Sequence, residues 1–275
     1  MPDVVVLKIG GDVLLDEAQR GGLGQNVKTL VDSGRQVVIV HGAGPQLSAL
    51  QERLGIPINK VGGRRITDAP TLEVVKYIQA GQVNVDLVST LTAAGVVALG
   101  FAGVSAGVVR AVKRPARVVS GCGEEPVDFG LVGDVASVNT GLIAQLLELG
   151  LVPVIASLGA DTQGQPYNIN ADVVAGDVAA ALHAESLVLA TAIGGIFRDP
   201  EDPATRLDQL DEAAARQAIK DQIITGGMIP KVEESLKAMK AGVRSILIAN
   251  VAEPGGLRRA LDAPGALGTM LVGDR

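Results

Sequence analysis

The sequence predicts a doubly wound α/β fold, a three-layer α/β/α sandwich in which helices cover both faces of a mainly parallel open sheet. Aromatic residues make up only 2% of the chain, and tryptophan is absent. The core must therefore be built from Val, Leu, Ile and Ala, as is typical of parallel sheets buried on both faces. Short β-branched runs alternate with segments of helical spacing, and this alternation predicts parallel strands joined by helices.

The predicted strands are short apolar runs that are rich in β-branched residues and bounded by Gly or Pro. The first run ends at the Gly10-Gly11 pair, and the second ends at Gly42. Such runs are typical of strands in the middle of a buried sheet. The predicted strands are residues 4–9, 36–40, 96–101, 151–158, 186–191 and 245–249.

The most clearly patterned helix follows Asp68, which is a candidate N-cap, with Pro70 in the first turn. From Leu72 to Leu91, apolar residues recur at a spacing of about 3.6, which predicts one buried helical face. Residues 111–135 break the alternation with short strands and Gly and Pro turns, which indicates a hairpin excursion at one rim. Further helices are predicted over residues 140–149, 171–183, 211–219 and 232–241.

Length and composition limit the function classes. The chain has 275 residues, 47% of them hydrophobic, and no compositional boundary divides it, so we expect a single domain over residues 1–275. A net charge of −6 without a large Lys/Arg cluster argues against a nucleic-acid partner. No apolar stretch approaches the roughly 20 residues of a membrane span. Met1-Pro2-Asp3 does not open a secretory signal, and a cytoplasmic protein is expected.

Cysteine and histidine are too scarce for several kinds of site. Cys122 is the single cysteine, which excludes an internal disulfide and a cysteine-based zinc finger, and we interpret it as an incidental thiol. With only His41 and His183, a multi-histidine metal site is excluded. His41 is expected to orient the following glycine turn, and His183 to cap a helix. The acidic stretch at 199–202 is interpreted as a solvated loop.

Two glycine-rich segments follow predicted strands, where ligands bind in sheets of this class. Lys8, Gly10 and Gly11 come at the end of the first strand, and His41-Gly42-Ala43-Gly44 follows the second. Glycine allows close backbone approach, and exposed N–H groups with an ammonium suit an anion. A second lysine, Lys231, follows Gly226-Gly227 at a loop-to-helix transition. Neither loop matches a named nucleotide fingerprint, and the first pattern also fits a lysine before an ordinary turn.

Five ordered motifs together resemble the amino-acid kinase family, over nearly the whole chain from Lys8 to Met270. Within that family they are most similar to the branch that acts on N-acetyl-L-glutamate. The motifs are Lys8-Ile9-Gly10-Gly11, Gly63-Arg64-Arg65-Ile66-Thr67-Asp68, Asp128-Phe129-Gly130-Leu131-Val132-Gly133-Asp134-Val135, Asn168-Ile169-Asn170-Ala171-Asp172 and Gly227-Met228-Ile229-Pro230-Lys231.

The resemblance implies phosphoryl transfer from ATP to the side-chain carboxylate of N-acetyl-L-glutamate, giving an acyl phosphate in arginine biosynthesis. Mg²⁺ is expected to arrive with ATP, bound mainly by phosphate oxygens and not by a dedicated protein site. The residue inventory agrees, because a carboxylate with a pKa of about 4 is ionised at neutral pH and needs no general base. Catalysis is then expected from positioning and positive charge.

The same resemblance implies roles for individual residues. Lys8 and Lys231 would flank the transferring group, Asp172 would hold both ammonium groups, and Arg65 would clamp a substrate carboxylate. Residues up to about 170 would form a substrate-binding and dimerisation lobe, and residues 171–275 a nucleotide-binding lobe. The full set is catalytic Lys8, Lys231, Asp172 and Gly11; substrate-binding Ala43, Gly44, Arg65 and Asn168; and cofactor-binding Gly10, Thr191, Gly227 and Met228.

Two positions depart from the family pattern. Ala43 replaces the middle glycine of the triplet after His41, which is tolerable if its φ stays negative. Ala192 stands where the family usually has an aspartate near the nucleotide, so a weaker polar contact to ATP is expected. A high Michaelis constant for ATP would follow.

Two alternatives to this function remain open, one with a different substrate and one without catalysis. One is a kinase of carrier-protein-linked aminoadipate or glutamate, which basic residues such as Arg64, Arg65, Lys113, Arg114 and Arg117 would suit. Another is a non-catalytic regulatory sensor, which would not need Lys8, Asp172 and Lys231 together.

The family resemblance also implies a homodimer, with residues 69–94 as the dimer surface. In the family, arginine-inhibited members carry an extra helix ahead of the first strand. Only Met1-Pro2-Asp3 precedes that strand here, so no arginine feedback is expected.

Overall fold

A computed structural model describes residues 3–119, 123–263 and 265–273, which form an α/β fold as predicted. The main sheet within these residues has eight strands in the order β12-β14-β13-β11-β1-β2-β8-β5, with β14 antiparallel to β13. The strands are β1 (Val4–Ile9), β2 (Gln36–His41), β3 (Lys60–Val61), β4 (Arg64–Arg65), β5 (Ala98–Ala102), β6 (Val109–Lys113), β7 (Gly133–Val138), β8 (Val152–Ala156), β9 (Leu158–Ala160), β10 (Pro166–Asn168), β11 (Ser186–Ala190), β12 (Gln209–Leu210), β13 (Ser245–Ala249) and β14 (Thr269–Val272).

Short polar side chains cap several helices at their first turn. Asp16 accepts a hydrogen bond from the Gln19 amide, and Asp68 accepts one from the Thr71 amide, as expected for N-caps. The helices are α1 (Glu17–Asp32), α2 (Gly44–Leu54), α3 (Ala69–Val75), α4 (Asn84–Ala93), α5 (Thr140–Glu148), α6 (Ala171–Ala181), α7 (Glu212–Lys220), α8 (Met228–Lys240) and α9 (Gly256–Asp262).

The two faces of the main sheet carry separate hydrophobic clusters. Val4 and Val6 of β1 belong to the cluster that includes α6 and α8, whereas Leu7 and Ile9 belong to the cluster with α1, α4 and α9. Because successive side chains of a strand point to opposite faces, Lys8 shares the face of Val4 and Val6. The strand therefore directs this lysine toward α6. Lys8 is the fifth residue of β1, inside the strand predicted over residues 4–9.

A π-helical segment, Lys76–Val83, interrupts the helical region that the sequence predicted after Asp68 and separates α3 from α4. Its wider turn changes which residues face the core, so that Gln79 and then Asn84 are buried beside the sheet. Two polar side chains from this region thereby reach the ends of β2 and β8.

The predicted hairpin excursion is confirmed and extended. Strands β6 and β7 pair antiparallel, and they continue through β9 and β10 into a four-stranded sheet that the sequence did not predict. Strands β3 and β4 form another unpredicted hairpin, which presents Arg64 and Arg65. Its turn is Gly62-Gly63, both at positive φ, a conformation that favours glycine.

The positions of several other residues and helices in the structure can be compared with the sequence predictions. Helices α1, α2 and α9 were not predicted. His183 lies two residues past the end of α6, not in its last turn, at a φ of 50°. Its amide donates to the Ala180 carbonyl at 3.0 Å and the Ala184 amide donates to the Ala179 carbonyl at 2.9 Å, so His183 caps the helix through its backbone, as predicted. Asp199 and Asp202 accept hydrogen bonds from the amides of their own exposed loop, as a solvated loop requires. Cys122 lies outside the described residues.

None of the helices in the described part of the chain combines the length and the apolar character that a membrane crossing needs.

Candidate active site

A cleft of about 370 Å³ opens where β1, β2 and β10 end and α6 begins. This is the edge at which α/β sheets bind ligands. Gly-rich segments form one wall, the β3–β4 hairpin forms another, and α8 contributes Lys231. Nine of the predicted site residues line it: Lys8, Gly10, Gly11, Ala43, Gly44, Arg65, Asn168, Asp172 and Lys231.

Asp172 holds two ammonium groups at the floor of the cleft. Its Oδ1 lies 2.8 Å from Lys8 Nζ, and its Oδ2 lies 3.3 Å from Lys231 Nζ. Three different elements supply the three residues: β1, the first turn of α6 and the first turn of α8. Asn170 caps α6 by accepting the Asp172 amide at 2.8 Å, which fixes the backbone beside the carboxylate.

The electrostatics of these three residues favour an anionic ligand. Burial raises the pKa of Asp172, but the ammonium groups of Lys8 and Lys231 outweigh it, and the net pKa is lowered. Burial and the nearby Lys8 ammonium lower the pKa of Lys231. With one carboxylate between two ammonium groups, the cluster carries one excess positive charge. It is suited to binding a phosphoryl group.

The glycine segment after β2 is held in place by a buried histidine. His41 is 0% exposed, its Nδ1 donates to the Gly42 carbonyl at 3.2 Å, and its Nε2 accepts from Asn84 Nδ2 at 2.9 Å. Asn84 also donates to the Val154 carbonyl. Burial lowers the pKa of His41 to about 4, so the ring is neutral at pH 7. The expectation that His41 orients this turn is confirmed.

Ala43 occupies its position without backbone strain. Its φ is −153°, so the negative φ that the sequence required is present, and its side chain is buried. Gly44 is the first residue of α2, so its amide has no acceptor within that helix, and Gly44 lines the cleft. Gly11 is fixed by a hydrogen bond from Gln46 Nε2 to its carbonyl at 2.7 Å.

Arg65 is held by polar groups of α2. It donates to the Ser48 hydroxyl at 2.9 Å, to the Gly44 carbonyl at 3.2 Å and to the Gln51 amide oxygen. Burial lowers its pKa. Within the described chain no carboxylate lies within 4 Å of its guanidinium, which leaves its charge for a ligand.

The opposite wall combines an amide with apolar side chains. Asn168 Nδ2 donates to the Thr67 hydroxyl at 3.1 Å, which fixes the amide beside the cleft. Phe129, Val132 and Ile169 are buried and line the same space. This wall suits a small apolar substituent close to a hydrogen-bonding backbone.

The four residues predicted to bind the nucleotide do not all line the cleft. Gly10 lines the cleft, and Gly227 lines a second space beside it. Thr191 and Met228 line neither of them; Thr191 Oγ1 accepts from the Gly194 amide at 3.2 Å, and Met228 begins α8. The Ala192 carbonyl accepts from Asn250 Nδ2 at 3.1 Å, so this segment is braced through its backbone.

Several cleft residues had no role in the sequence interpretation, among them Arg114, Gln79 and Ser157. Arg114 was expected among the basic residues of the hairpin, but it is buried, and its Nη2 lies 2.6 Å from Asp134 Oδ1. Gln79 donates to Ser157 at the inner end of the cleft. The π-helical turn brings Gln79 there, and the apolar periodicity gave no signal for it.

Comparisons with known proteins agree with one another. The sequence profile of the amino acid kinase family matches residues 3–250. A protein of Anaeromyxobacter dehalogenans named acetylglutamate kinase is 47% identical over 98% of this chain and 99% of its own length. One of the same name from Sorangium cellulosum is 47% identical over 98% and 94%. The solved structure of smu.665 from Streptococcus mutans UA159 is 31% identical, covers 100% of each chain and has a TM-score of 0.79.

Proposed function

This chain belongs to the amino acid kinase family, and from that membership we propose that it is an ATP-dependent acyl-amino-acid kinase. It transfers the terminal phosphoryl group of ATP to the side-chain carboxylate of N-acetyl-L-glutamate. The products are N-acetyl-L-glutamyl 5-phosphate and ADP, in arginine biosynthesis. The observation that carries the proposal is Asp172 holding Lys8 and Lys231 at the floor of the cleft.

The mechanism needs positive charge rather than a base. A substrate carboxylate with a pKa of about 4 is already a nucleophile at neutral pH. It attacks the terminal phosphorus, the bond to the bridging oxygen breaks, and ADP leaves with the bonding electrons. Lys8 stabilises the transferring oxygens, Lys231 lies on the ATP side, and Asp172 holds both ammonium groups in place. The Gly11 and Gly44 amides supply further donors.

Substrate binding uses the two remaining walls. Arg65 clamps the α-carboxylate of the substrate with its planar fork, and Asn168 bonds the amide end. The amides of Ala43 and Gly44 approach the reacting carboxylate. Phe129 and its apolar neighbours enclose the acetyl group.

On the nucleotide side, Gly10, Thr191, Gly227 and Met228 contact ATP. Mg²⁺ fits as an ion held mainly by phosphate oxygens and water, because both ammonium groups already engage Asp172. The described residues also contain no group of three metal-ligating side chains. The ion would supply charge neutralisation on the phosphates. We assign residues up to about 170 to substrate binding and residues 171–275 to the nucleotide.

The same proposal includes a homodimer. Strand β5 is an edge of the main sheet, and next to it Val97 is exposed; Tyr77 and Val85 are exposed on the neighbouring helical region. An apolar surface beside a sheet edge favours association. An enzyme that consumes ATP and a free metabolite works where both are supplied, so we propose a cytoplasmic location.

The test is an assay of the purified protein with ATP, MgCl₂ and N-acetyl-L-glutamate, with the acyl phosphate trapped by hydroxylamine. We expect hydroxamate to form with N-acetyl-L-glutamate and much more slowly with free L-glutamate, which leaves the acetyl pocket empty. The Lys8→Met variant is the negative control. Nucleotide binding without any hydroxamate would instead identify a sensor, and hydroxamate only from a carrier-linked amino acid would identify the carrier-dependent reaction.

A further inference from the structure

A second space of about 260 Å³ adjoins the cleft on its hairpin side. The two spaces share Arg64, Arg114 and Lys231 among their lining residues, so they are continuous at the β3–β4 hairpin. The second space, here called the side crevice, extends between the β6–β7 hairpin and helices α6 and α8. Asp172, Gly227 and Lys231 also line it, but none of the roles assigned above uses its three arginines, Arg64, Arg114 and Arg117.

Three guanidinium groups meet where the crevice joins the cleft. Arg114 is already paired with Asp134. Arg64 and Arg117 line the crevice, and no carboxylate lies within 4 Å of either guanidinium among the described residues. Partial burial and repulsion from Arg114 and Arg64 lower the pKa of Arg117, against the attraction of Asp134 and Glu234. The junction therefore holds two cations without bound partners.

The remaining charges of the crevice cancel at most one of these two cations, because five cationic and four carboxylate side chains line it. Lys231 pairs with Asp172, and Lys237 pairs with Glu234 at 2.9 Å. Asp177, on α6, also lines the crevice. Desolvation and the carboxylates of Glu234 and Asp134 raise its pKa to about 6, so Asp177 is still mostly ionised at pH 7. The excess positive charge thus lies at the end nearest the cleft.

The position of Arg64 connects this charge to the substrate. Arg64 lines the same cleft as Phe129 and Val132, the apolar residues assigned to the acetyl group. An acetyl group ends in a methyl, which can form neither a hydrogen bond nor an ion pair with these guanidinium groups. A longer acyl chain that ends in a carboxylate would pass from the apolar wall into the crevice and meet the two guanidinium forks.

We propose that Arg64 and Arg117 form a subsite for the carboxylate of an acidic N-acyl group, so that the enzyme also phosphorylates N-acyl-L-glutamates whose acyl group is a short dicarboxylic acid. This rests on the proposed function, because it extends the acyl specificity of the same site. The reaction is the same phosphoryl transfer, with the second carboxylate serving only for binding.

The test compares acyl groups of equal length and different charge. N-succinyl-L-glutamate and N-butyryl-L-glutamate both carry four-carbon acyl groups, but only the first ends in a carboxylate. We expect kcat/KM for the succinyl substrate to exceed that for the butyryl substrate at least tenfold. In Arg64→Gln and in Arg117→Gln this ratio falls at least tenfold. Arg110→Gln, an exposed arginine on β6 that lines neither space, keeps the ratio.

Each other outcome is decisive. If N-acetyl-L-glutamate is phosphorylated but the succinyl substrate is no better than the butyryl one, the subsite is wrong and the proposed function stands. If none of the three is phosphorylated, the proposed function itself fails. If the two variants raise KM for ATP equally with every acyl group, the arginines bind nucleotide phosphate and the subsite is overturned. Calorimetric titration of succinyl-glutamate into each variant, with circular dichroism as the folding control, separates lost binding from misfolding.

Discussion

The Lys8 ammonium and the Asp172 carboxylate form an ion pair of 2.8 Å in which the two side chains are only 8% and 13% exposed. A buried pair of this kind costs desolvation energy, and removal of either partner leaves an uncompensated charge. Asp172 offsets that cost by engaging Lys231 as well. The arrangement keeps two positive charges close together inside the protein before any anion is bound.

Replacement of the shared carboxylate should therefore disable the site. In Asp172→Asn we expect kcat to fall about 10²-fold or more, as for the loss of a preorganised electrostatic group. The two lysines would face each other without a counter-charge. The pKa of Lys231, which burial and the Lys8 ammonium already lower and Asp172 raises, would fall further, so we expect residual activity to decline from pH 7 to pH 9. Steady-state kinetics over that range is the measurement. Asp177→Asn, on the exposed part of α6, is the matched control and should keep the wild-type kcat. Wild-type kcat in Asp172→Asn would contradict the assignment.

Lys8 and Arg65 should separate into effects on kcat and on KM. Lys8→Ala removes charge that acts mainly in the transition state, so we expect a kcat loss of about 10²-fold or more with the fold intact. Arg65→Ala removes a charge-assisted contact made in the ground and transition states alike. A contact of about 1.5–3 kcal/mol corresponds to a 10- to 100-fold rise in KM for N-acetyl-L-glutamate. Arg53→Ala, an exposed arginine on α2, is the control, and the reverse pattern would refute both roles.

His41 should contribute to the acid sensitivity of the fold. Its pKa falls from 6.5 to about 4 on folding because burial disfavours the imidazolium. Between these values the unfolded chain binds a proton that the folded protein does not, so stability is lost as pH falls from about 6.5 to 4. The difference amounts to about 3 kcal/mol. Urea unfolding at pH 7 and pH 4.5 should show a smaller loss in His41→Gln than in the wild type, and equal losses would contradict this.

The proposed dimer predicts an effect of charge on its apolar surface. Tyr77 is 62% exposed in the π-helical segment that precedes α4, the helix that packs beside β5. Tyr77→Asp should shift the mass measured by light scattering from dimer to monomer at micromolar concentration. Leu149→Asp, an equally exposed apolar residue after α5, should leave the mass unchanged. A monomeric wild-type protein would exclude the assembly.

The central strands were predictable because their chemistry is local. Runs such as 4–9 and 245–249 are apolar, β-branched and bounded, and the same runs form β1 and β13. Helix α1 was missed because Gly21, Gly22 and Gly24 weaken its helical signal. A side chain at Gly22 would collide with the backbone of Val251 and Ala252, so a tertiary contact explains that glycine.

Some residues of the site could likewise be predicted from local motifs, whereas others depend on contacts between distant parts of the chain. Lys8, Asp172 and Lys231 could be assigned because they lie in recognisable motifs, and the structure brings them together as expected. The burial of Arg114 could not be predicted, since it depends on the pairing of β6 with β7 and on Asp134. Gln79 reaches the cleft only through a π-helical turn, which periodicity does not reveal.

The placement of Lys8 within a strand makes the site sensitive to changes in strand register. Lys8 lies between Leu7 and Ile9, whose side chains pack into the hydrophobic cluster with α1, α4 and α9. Because side chains alternate along a strand, Lys8 points to the other face of the sheet. A one-residue insertion within β1 ahead of Lys8 would turn the ammonium away from Asp172 and into apolar packing. The length of β1 is therefore under tighter constraint than the lengths of the loops around the cleft. Mutational scanning by single-codon insertions should find this strand intolerant at positions where substitutions of one aliphatic residue by another are accepted.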